Sequence, residues 1–164
     1  MIMAEPRQFA VSAEGGRELE GHLSELAGAD GVSCVLLVDR GGRLIGSAGD
    51  AGGADLVTFG SLAAADFNAN EQLARLVGAR DFRALVYRGE KASVHVEDVR
   101  GRAVLITLFD GTAAQGLIRK LSEEAAGRVG LTLDRMADTS IVQQGTEQSL
   151  LAGVEEEIDR LFDW

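Results

Sequence analysis

The side chains that could carry out catalysis or bind a metal are few in this chain. Its two histidines, His22 and His95, show no spacing typical of metal ligands, and we predict surface or packing roles for both. The single cysteine, Cys34, precedes the apolar run Val35–Val38, which indicates a buried structural thiol rather than a nucleophile. We therefore predict that the protein is not an enzyme, and that it has no active site, cofactor or metal of its own.

Two further groups of residues, a set of loop glycines and a run of glutamates, are of the kinds that bind phosphate or a divalent cation in other proteins. Gly49, Gly52 and Gly53 fall in a predicted strand-to-helix loop, but neither a G-x-G-x-x-G pattern nor a P-loop occurs there. We predict a plain flexible connection at this loop. Glu155–Glu157 are consecutive residues of a predicted helix, so their side chains point in different directions and form a solvated acidic face.

The composition indicates one globular domain. The chain has 164 residues, of which 46% are hydrophobic, which is enough for a single core. The formal net charge of −10 argues against nucleic acid and anionic lipid surfaces as partners, because both need clustered Lys and Arg. One cysteine excludes an intrachain disulfide, and no run approaches the roughly 18 apolar residues of a membrane span. Since the start of the chain also lacks a signal-peptide pattern, we expect a cytoplasmic protein.

A small set of predicted helices and strands must position these residues. Apolar spacing predicts an amphipathic helix over residues 14–27, and Val35–Val38 is predicted to pair as an antiparallel hairpin with Leu44–Ile45. Asp55 is the predicted N-cap of a second helix, which ends near Val77. Three strands and a third helix follow: Ala84 to Tyr87, Ala92 to Val96, Ala103 to Phe109, and Thr112 to about Met136. The predicted fold class is α/β (α+β) in the order α-β-β-α-β-β-β-α, with one antiparallel five-stranded sheet, helices packed on it and a C-terminal helical segment.

The last part of the chain differs from the rest in charge. From Asp138 onward seven acidic residues accompany one basic residue, so this segment carries −6 of the net charge. We predict an N-terminal tail at 1–13, a domain at 14–137, and an acidic segment at 138–164 that begins with a polar linker, Thr139 to Gly145. The segment ends in a short helix with an apolar stripe: Leu150, Leu151, Val154, Ile158, Leu161 and Phe162. This stripe either docks on its own domain or lies in a groove of a partner, and the sequence leaves both open.

The second helix has two predicted faces when its residues are spaced at 100°. The face predicted to meet the core consists of Phe59, Leu62, Ala63, Leu73, Leu76 and Val77. The opposite face, predicted to be exposed, holds Ser61, Ala64, Asn68, Glu71, Gln72 and Arg75. Asp66 falls on the predicted core side, where a carboxylate must find a donor or reach solvent. We predict that Asp66 ties the helix to a neighbouring loop or to a second subunit rather than acting in catalysis.

Three sequence segments in this element order resemble the Roadblock family of GTPase-associated modules, and within it the MglB type. They are the hairpin VLLVDRGGRLIGSAGD, the helix LAAADFNANEQLARLVG and the strand-to-helix segment VLITLFDGTAAQGLIRK. The similarity runs from about Gly31 to Met136, and the ending EEEIDRLFDW is similar to the C-terminus of MglB-type members. The resemblance implies a homodimer whose sheets join edge to edge, and Ala84 to Tyr87 is a short apolar strand suited to such an edge.

The resemblance also implies a function. It implies a homodimeric GTPase-activating protein for a bacterial Ras-like small GTPase of the MglA type, with a role in cell polarity or motility and a location at a cell pole. The second helices of both subunits would bind the GTP form and reposition the catalytic groups of the GTPase, without an arginine supplied in trans. The partner-binding residues carried over by position are Ala64, Asn68, Glu71, Gln72 and Arg75, with Ile158, Leu161 and Phe162 of the C-terminal segment as a second contact.

Alternatives to this activator function stay open from the sequence. A Roadblock scaffold or effector would bind a GTPase without accelerating hydrolysis, and the residues hardly distinguish it from an activator. A small-molecule sensor would need convergent polar groups, which the sequence does not provide. By charge alone, Arg75, Arg80 and Arg83 are candidates for an arginine finger.

Overall fold

The helices and strands of the protein follow the predicted order. The computed structural model describes the backbone of residues 13–162 and, within that range, the side chains outside 139–147, 159 and 162. The predicted tail at 1–13 therefore lies outside the described residues except for Ala13, where the first helix begins. The elements are α1 (Ala13–Ala27), β1 (Val32–Asp39), β2 (Leu44–Gly49), α2 (Leu56–Leu76), β3 (Ala84–Arg88), β4 (Ser93–Val99), β5 (Ala103–Phe109) and α3 (Gln115–Phe162).

The strands form one antiparallel sheet in the order β2-β1-β5-β4-β3. β1 and β5 are internal and buried on both faces, as their continuous apolar runs predict. The predicted hairpin of β1 and β2 is confirmed, and its tight turn includes Gly42 at φ 90°, a conformation that glycine adopts without strain. β2 and β3 are the edge strands, so the predicted edge position of Ala84 to Tyr87 is confirmed.

Helices cover both faces of the sheet and create two cores, because successive side chains of a strand point to opposite faces. The first core combines Leu19, Leu23, Leu26, Val129 and Leu133 of α1 and α3 with Val35, Leu37 and Leu105 of the sheet. The second core combines Ala63, Ala64 and Phe67 of α2 with Cys34, Leu36, Val38, Val96 and Ile106. α2 is thus the helix that covers the second face, and its outer side is free to meet another molecule.

The third helix continues far beyond its predicted end. α3 runs without interruption from Gln115 to Phe162, so the predicted end near Met136 and the non-helical linker at Thr139 to Gly145 are wrong. This stretch contains no proline, and a single glycine costs a helix only about 1 kcal/mol relative to alanine. The C-terminal helical segment is confirmed as part of α3, while the division of the chain at residue 138 stays a prediction. None of the helices in the described part of the chain is long and apolar enough to cross a membrane.

Candidate partner-binding surface

The start of α2 is fixed by the predicted N-cap. The carboxylate of Asp55 accepts hydrogen bonds from the Thr58 hydroxyl at 2.6 Å and from the Thr58 backbone N–H at 3.2 Å. These bonds, with that of the hydroxyl the largest, lower the pKa of Asp55 below its ordinary value. The cap therefore places an ionised carboxylate at the positive end of the helix.

The face that α2 turns toward the sheet differs from the predicted one: Ala63 is buried and Phe59 packs on the second core as predicted, but the other predicted core residues, Leu62, Leu73, Leu76 and Val77, are exposed. Its buried residues are Gly60, Ala63, Ala64 and Phe67. Ala64 is 0% exposed, whereas Leu73 is 60% exposed and Leu76 is 83% exposed. Small residues allow the close approach of helix and sheet: a Cβ at Gly60 would lie 2.9 Å from Cγ2 of Val38. The predicted orientation is wrong because α2 carries apolar residues on both faces, and the face with the smaller side chains is the one that fits against the sheet.

Three residues of the predicted partner-binding set lie on this inner side of α2. Ala64 is in the core, and the Asn68 side chain accepts a hydrogen bond from Nη1 of Arg40 at 2.8 Å. The carboxylate of Glu71 forms an ion pair with the same Nη1 atom at 2.8 Å. Gln72 and Arg75 are exposed and remain available to a partner. A direct partner contact of the inner residues stays a prediction, and their observed contacts are with the chain itself.

Arg40, in the β1–β2 turn, was not among the predicted functional residues. Its Nη2 donates to Oδ1 of Asp98 at 2.5 Å, and its guanidinium lies 4.9 Å from the ring centroid of Phe67. Together with its bonds to Asn68 and Glu71, these contacts join the hairpin turn, α2 and the end of β4. The turn sequence Asp39-Arg40-Gly41-Gly42 predicts a hairpin and nothing more, because the residues that Arg40 contacts are distant from it in the sequence.

Asp66 is exposed, so its predicted place on the core side is wrong. Its helical neighbours Leu62 and Leu73 are exposed with it, since all three lie on the outer side of α2. A carboxylate in solvent needs no buried donor. We call this side the outer α2 face: Leu62, Ala65, Asp66, Ala69, Leu73 and Leu76. It is mainly apolar, and an exposed apolar stripe of this kind marks an interaction surface.

The open edge of the sheet is a second surface of the same kind. β3 pairs with β4 on one side, and among the described strands none pairs with its other side. Val86 and Tyr87 of β3 are about two-fifths exposed. An unpaired strand with apolar side chains is a template for another strand.

A cleft of about 510 Å³ lies at the C-terminal end of α2, between the helix and the loop to β3. Its lining residues are Glu71, Arg75, Gly78, Ala79, Arg80, Asp81 and Phe82. The ring of Phe82 lies 5.1 Å from that of Phe67, which ties this loop to the second core. Two cationic and two acidic side chains share the cleft, so it has no single charge preference.

The described side chains of the apolar stripe near the end of α3 do not pack on the domain. Leu150, Leu151, Val154, Ile158 and Leu161 are all exposed. Of the predicted second contact, Ile158 and Leu161 are therefore accessible, and the side chain of Phe162 lies outside the described residues.

The cysteine and the two histidines, the residue types best suited to catalysis or metal binding, all contact other residues of the protein itself. Cys34 is fully buried, and burial raises the pKa of its thiol, which confirms the predicted structural role. His95 is buried with Nε2 2.8 Å from Oε2 of Glu97, and His22 lies 3.4 Å from the Thr132 hydroxyl. In the part of the chain that the structure describes, no three His, Cys, Asp or Glu side chains are arranged to hold a metal ion.

The fold and its open surfaces define a Roadblock-type domain. Residues 18–109 match the Roadblock/LC7 domain, and the chain belongs to this family. Its fold is similar to solved structures of MglB. Myxococcus xanthus MglB has 27% identity and a TM-score of 0.70, with 83% of this chain and 96% of that chain covered. An MglB with tetrameric arrangement has 26% identity and a TM-score of 0.71, with 81% and 99% covered.

A third similar structure is the gliding protein MglB from Thermus thermophilus. It has 24% identity and a TM-score of 0.71 over 80% of this chain and 99% of that chain, which shows the shared fold. A comparison with curated proteins finds no match. The predicted family and the likeness to MglB are thus confirmed.

Proposed function

We propose that this protein is a homodimeric GTPase-activating regulator of a bacterial Ras-like small GTPase of the MglA type. The observation that carries the proposal is the outer α2 face, a mainly apolar stripe that is left exposed on a domain of the Roadblock/LC7 family. The likeness to MglB over four-fifths of the chain supports the choice of partner. Regulation of polarity or motility from the cytoplasm at a cell pole belongs to the same proposal.

The open β3 edge supports the homodimer. If β3 pairs antiparallel with β3 of a second copy, the two-fold axis is perpendicular to the joined sheet. Both α2 helices then lie on the same face of that sheet. One continuous platform results, with the two outer α2 faces available to one GTPase. Replacing Val86 with proline removes a backbone donor from β3, and the expected result is a monomer in sedimentation experiments.

Activation would operate through the GTPase's own catalytic groups. The outer α2 face contains no arginine, and Arg75, one turn after Glu71 on the same side of the helix, is paired with Glu71 at 2.8 Å. This arrangement favours a platform that binds the GTP form and fixes the switch loops over an arginine finger. Each tenfold acceleration requires about 1.4 kcal/mol of preferential stabilisation of the transition state.

The end of α3 would provide a second contact with the GTPase. Its exposed apolar stripe includes Ile158 and Leu161, and the predicted third anchor is Phe162. An amphipathic helix of this kind binds in an apolar groove through anchors about one turn apart. Deletion of residues 146–164 is expected to lower the affinity for the GTPase and to leave the dimer intact.

Titration of the protein against an MglA-type GTPase tests the proposal. We expect binding to the form loaded with a non-hydrolysable GTP analogue and at least about tenfold weaker binding to the GDP form. Equal affinity for both nucleotide states, or no binding, would contradict it. Binding to the GTP form without faster hydrolysis would instead identify the alternative function, a non-catalytic scaffold or effector.

A further inference from the structure

We propose that Arg40 is a positioning residue for partner recognition. Through Glu71 it holds the guanidinium of Arg75 at the C-terminal end of α2, where Arg75 meets a carboxylate of the GTPase. This inference rests on the proposed function and adds the chemistry of one contact to it. Arg40 itself does not touch the partner, because its guanidinium is enclosed by the chain's own residues.

The contacts of Arg40 fix it in one orientation. Nη1 lies 2.8 Å from both Asn68 Oδ1 and Glu71 Oε2, and Nη2 lies 2.5 Å from Asp98 Oδ1. The guanidinium also lies over the ring of Phe67. Its Nε is buried and has no hydrogen-bond partner among the described atoms, so the chain holds the guanidinium through its two terminal nitrogens.

Glu71 transmits this order to Arg75. One carboxylate oxygen, Oε2, pairs with Arg40, and the other, Oε1, pairs with Nη2 of Arg75 at 2.8 Å. The side chain of Glu71 is 26% exposed, whereas that of Arg75 is 66% exposed. An exposed ion pair one helical turn apart is weak by itself, because both side chains lose rotamer freedom to form it. With Arg40 holding Glu71, only Arg75 remains to be ordered.

The position of Arg75 identifies the chemistry of its partner group. It lines the cleft at the C-terminal end of α2 and uses one nitrogen for Glu71, which leaves its other N–H donors unused by that ion pair. A carboxylate accepts two such donors in parallel, and a guanidinium held in advance loses less freedom on binding. An acidic side chain of the GTPase at the C-terminal end of α2 is therefore the expected partner.

Arg40→Lys isolates positioning from charge, because lysine keeps the positive charge and lacks the planar fork. We expect Arg40→Lys to weaken binding of the GTP-form GTPase about fivefold and Arg75→Ala about tenfold. The double variant should be no weaker than Arg75→Ala alone, since Arg40 acts through Arg75. Arg43→Lys, in the same turn but exposed, is the matched control and should bind as the wild type does.

A measurement without the GTPase separates this inference from the proposed function. In the free protein, ¹⁵N relaxation of the Arg75 Nε–Hε group should report an ordered side chain. Its order parameter should fall in Arg40→Lys to the value in Glu71→Gln. The inference would be overturned if the Arg75 order parameter were the same in the wild type and Arg40→Lys. It would also be overturned if the double variant lost affinity by the product of the two single-variant losses. Absence of any GTPase binding would contradict the proposed function, while the relaxation result would still decide whether Arg40 positions Arg75.

Discussion

Asn68 and Arg40 exchange two hydrogen bonds between α2 and the β1–β2 turn. Nη1 of Arg40 donates to Asn68 Oδ1 at 2.8 Å, and Nδ2 of Asn68 donates to the backbone carbonyl of Arg40 at 2.9 Å. The amide uses both its donor and its acceptor, so its orientation is determined by the network. Asn68 thus joins the helix to the turn, although the family resemblance places it at the partner.

Replacement of Asn68 by alanine should destabilise the domain. The variant removes one hydrogen-bond partner from the part-buried carbonyl and guanidinium of Arg40. We therefore expect a loss of about 1–3 kcal/mol in the free energy of unfolding. Urea titration measures it, with Asn70→Ala on the same helix as the control. Unchanged stability together with lost GTPase affinity would show that Asn68 instead contacts the partner.

A charge on the outer α2 face should abolish recognition without affecting the fold. Leu73→Asp changes an exposed position, so stability should stay within about 0.5 kcal/mol of the wild type. Affinity for the GTP-form GTPase should fall about tenfold or more, because the apolar contact must then bury a carboxylate.

Leu117→Asp is the matched control for this face, because Leu117 is a similarly exposed leucine on α3. Calorimetry with both variants checks the prediction. Equal losses of affinity in the two variants would argue against a specific role for α2.

The buried contact of His95 with Glu97 should contribute to stability. Both side chains are buried, and Glu97→Ala leaves Nε2 of His95 without its acceptor. We expect a loss of about 1–3 kcal/mol in the free energy of unfolding, measured in urea. Glu90→Ala, in an exposed turn, is the control. A loss no larger than that of the control would mean that His95 finds another partner.

The N-cap of α2 should make stability depend on pH in the acid range. The pKa of Asp55 is lower in the folded state than its ordinary value of 3.8, so the ionised cap stabilises the fold above that pH. This contribution should disappear as the pH falls through the lowered pKa. Urea midpoints of the wild type and Asp55→Asn between about pH 6 and about pH 2.5 measure it. A difference that stays constant over this range would contradict the role of the charge.

Local sequence signals predicted the strands and the start of α2 well. The run Ala103–Phe109 is continuous and apolar because β5 is buried on both faces, so its pattern reports its position directly. Asp55 caps α2 through Thr58, three residues away, and such a short-range contact is visible in the sequence.

The orientation of α2 and the length of α3 could not be predicted in this way. Leu73 and Leu76 form a stripe as apolar as a core face, and periodicity does not distinguish a core from an interface with another molecule. The buried side uses Ala64 and Phe67, and its polar members are satisfied by Arg40 in a distant turn. α3 continues past Met136 because loss of apolar periodicity marks the end of packing, not the end of a helix.

Single-turnover GTP hydrolysis by an MglA-type GTPase is the most direct test of the activator function. The GTPase is loaded with GTP and mixed with saturating wild-type protein or with Leu73→Asp. We predict an acceleration of at least about tenfold with the wild type, equivalent to about 1.4 kcal/mol of transition-state stabilisation, and little with the variant. An unchanged rate, under conditions where binding of the GTP form is saturated, would contradict activation and leave a scaffold.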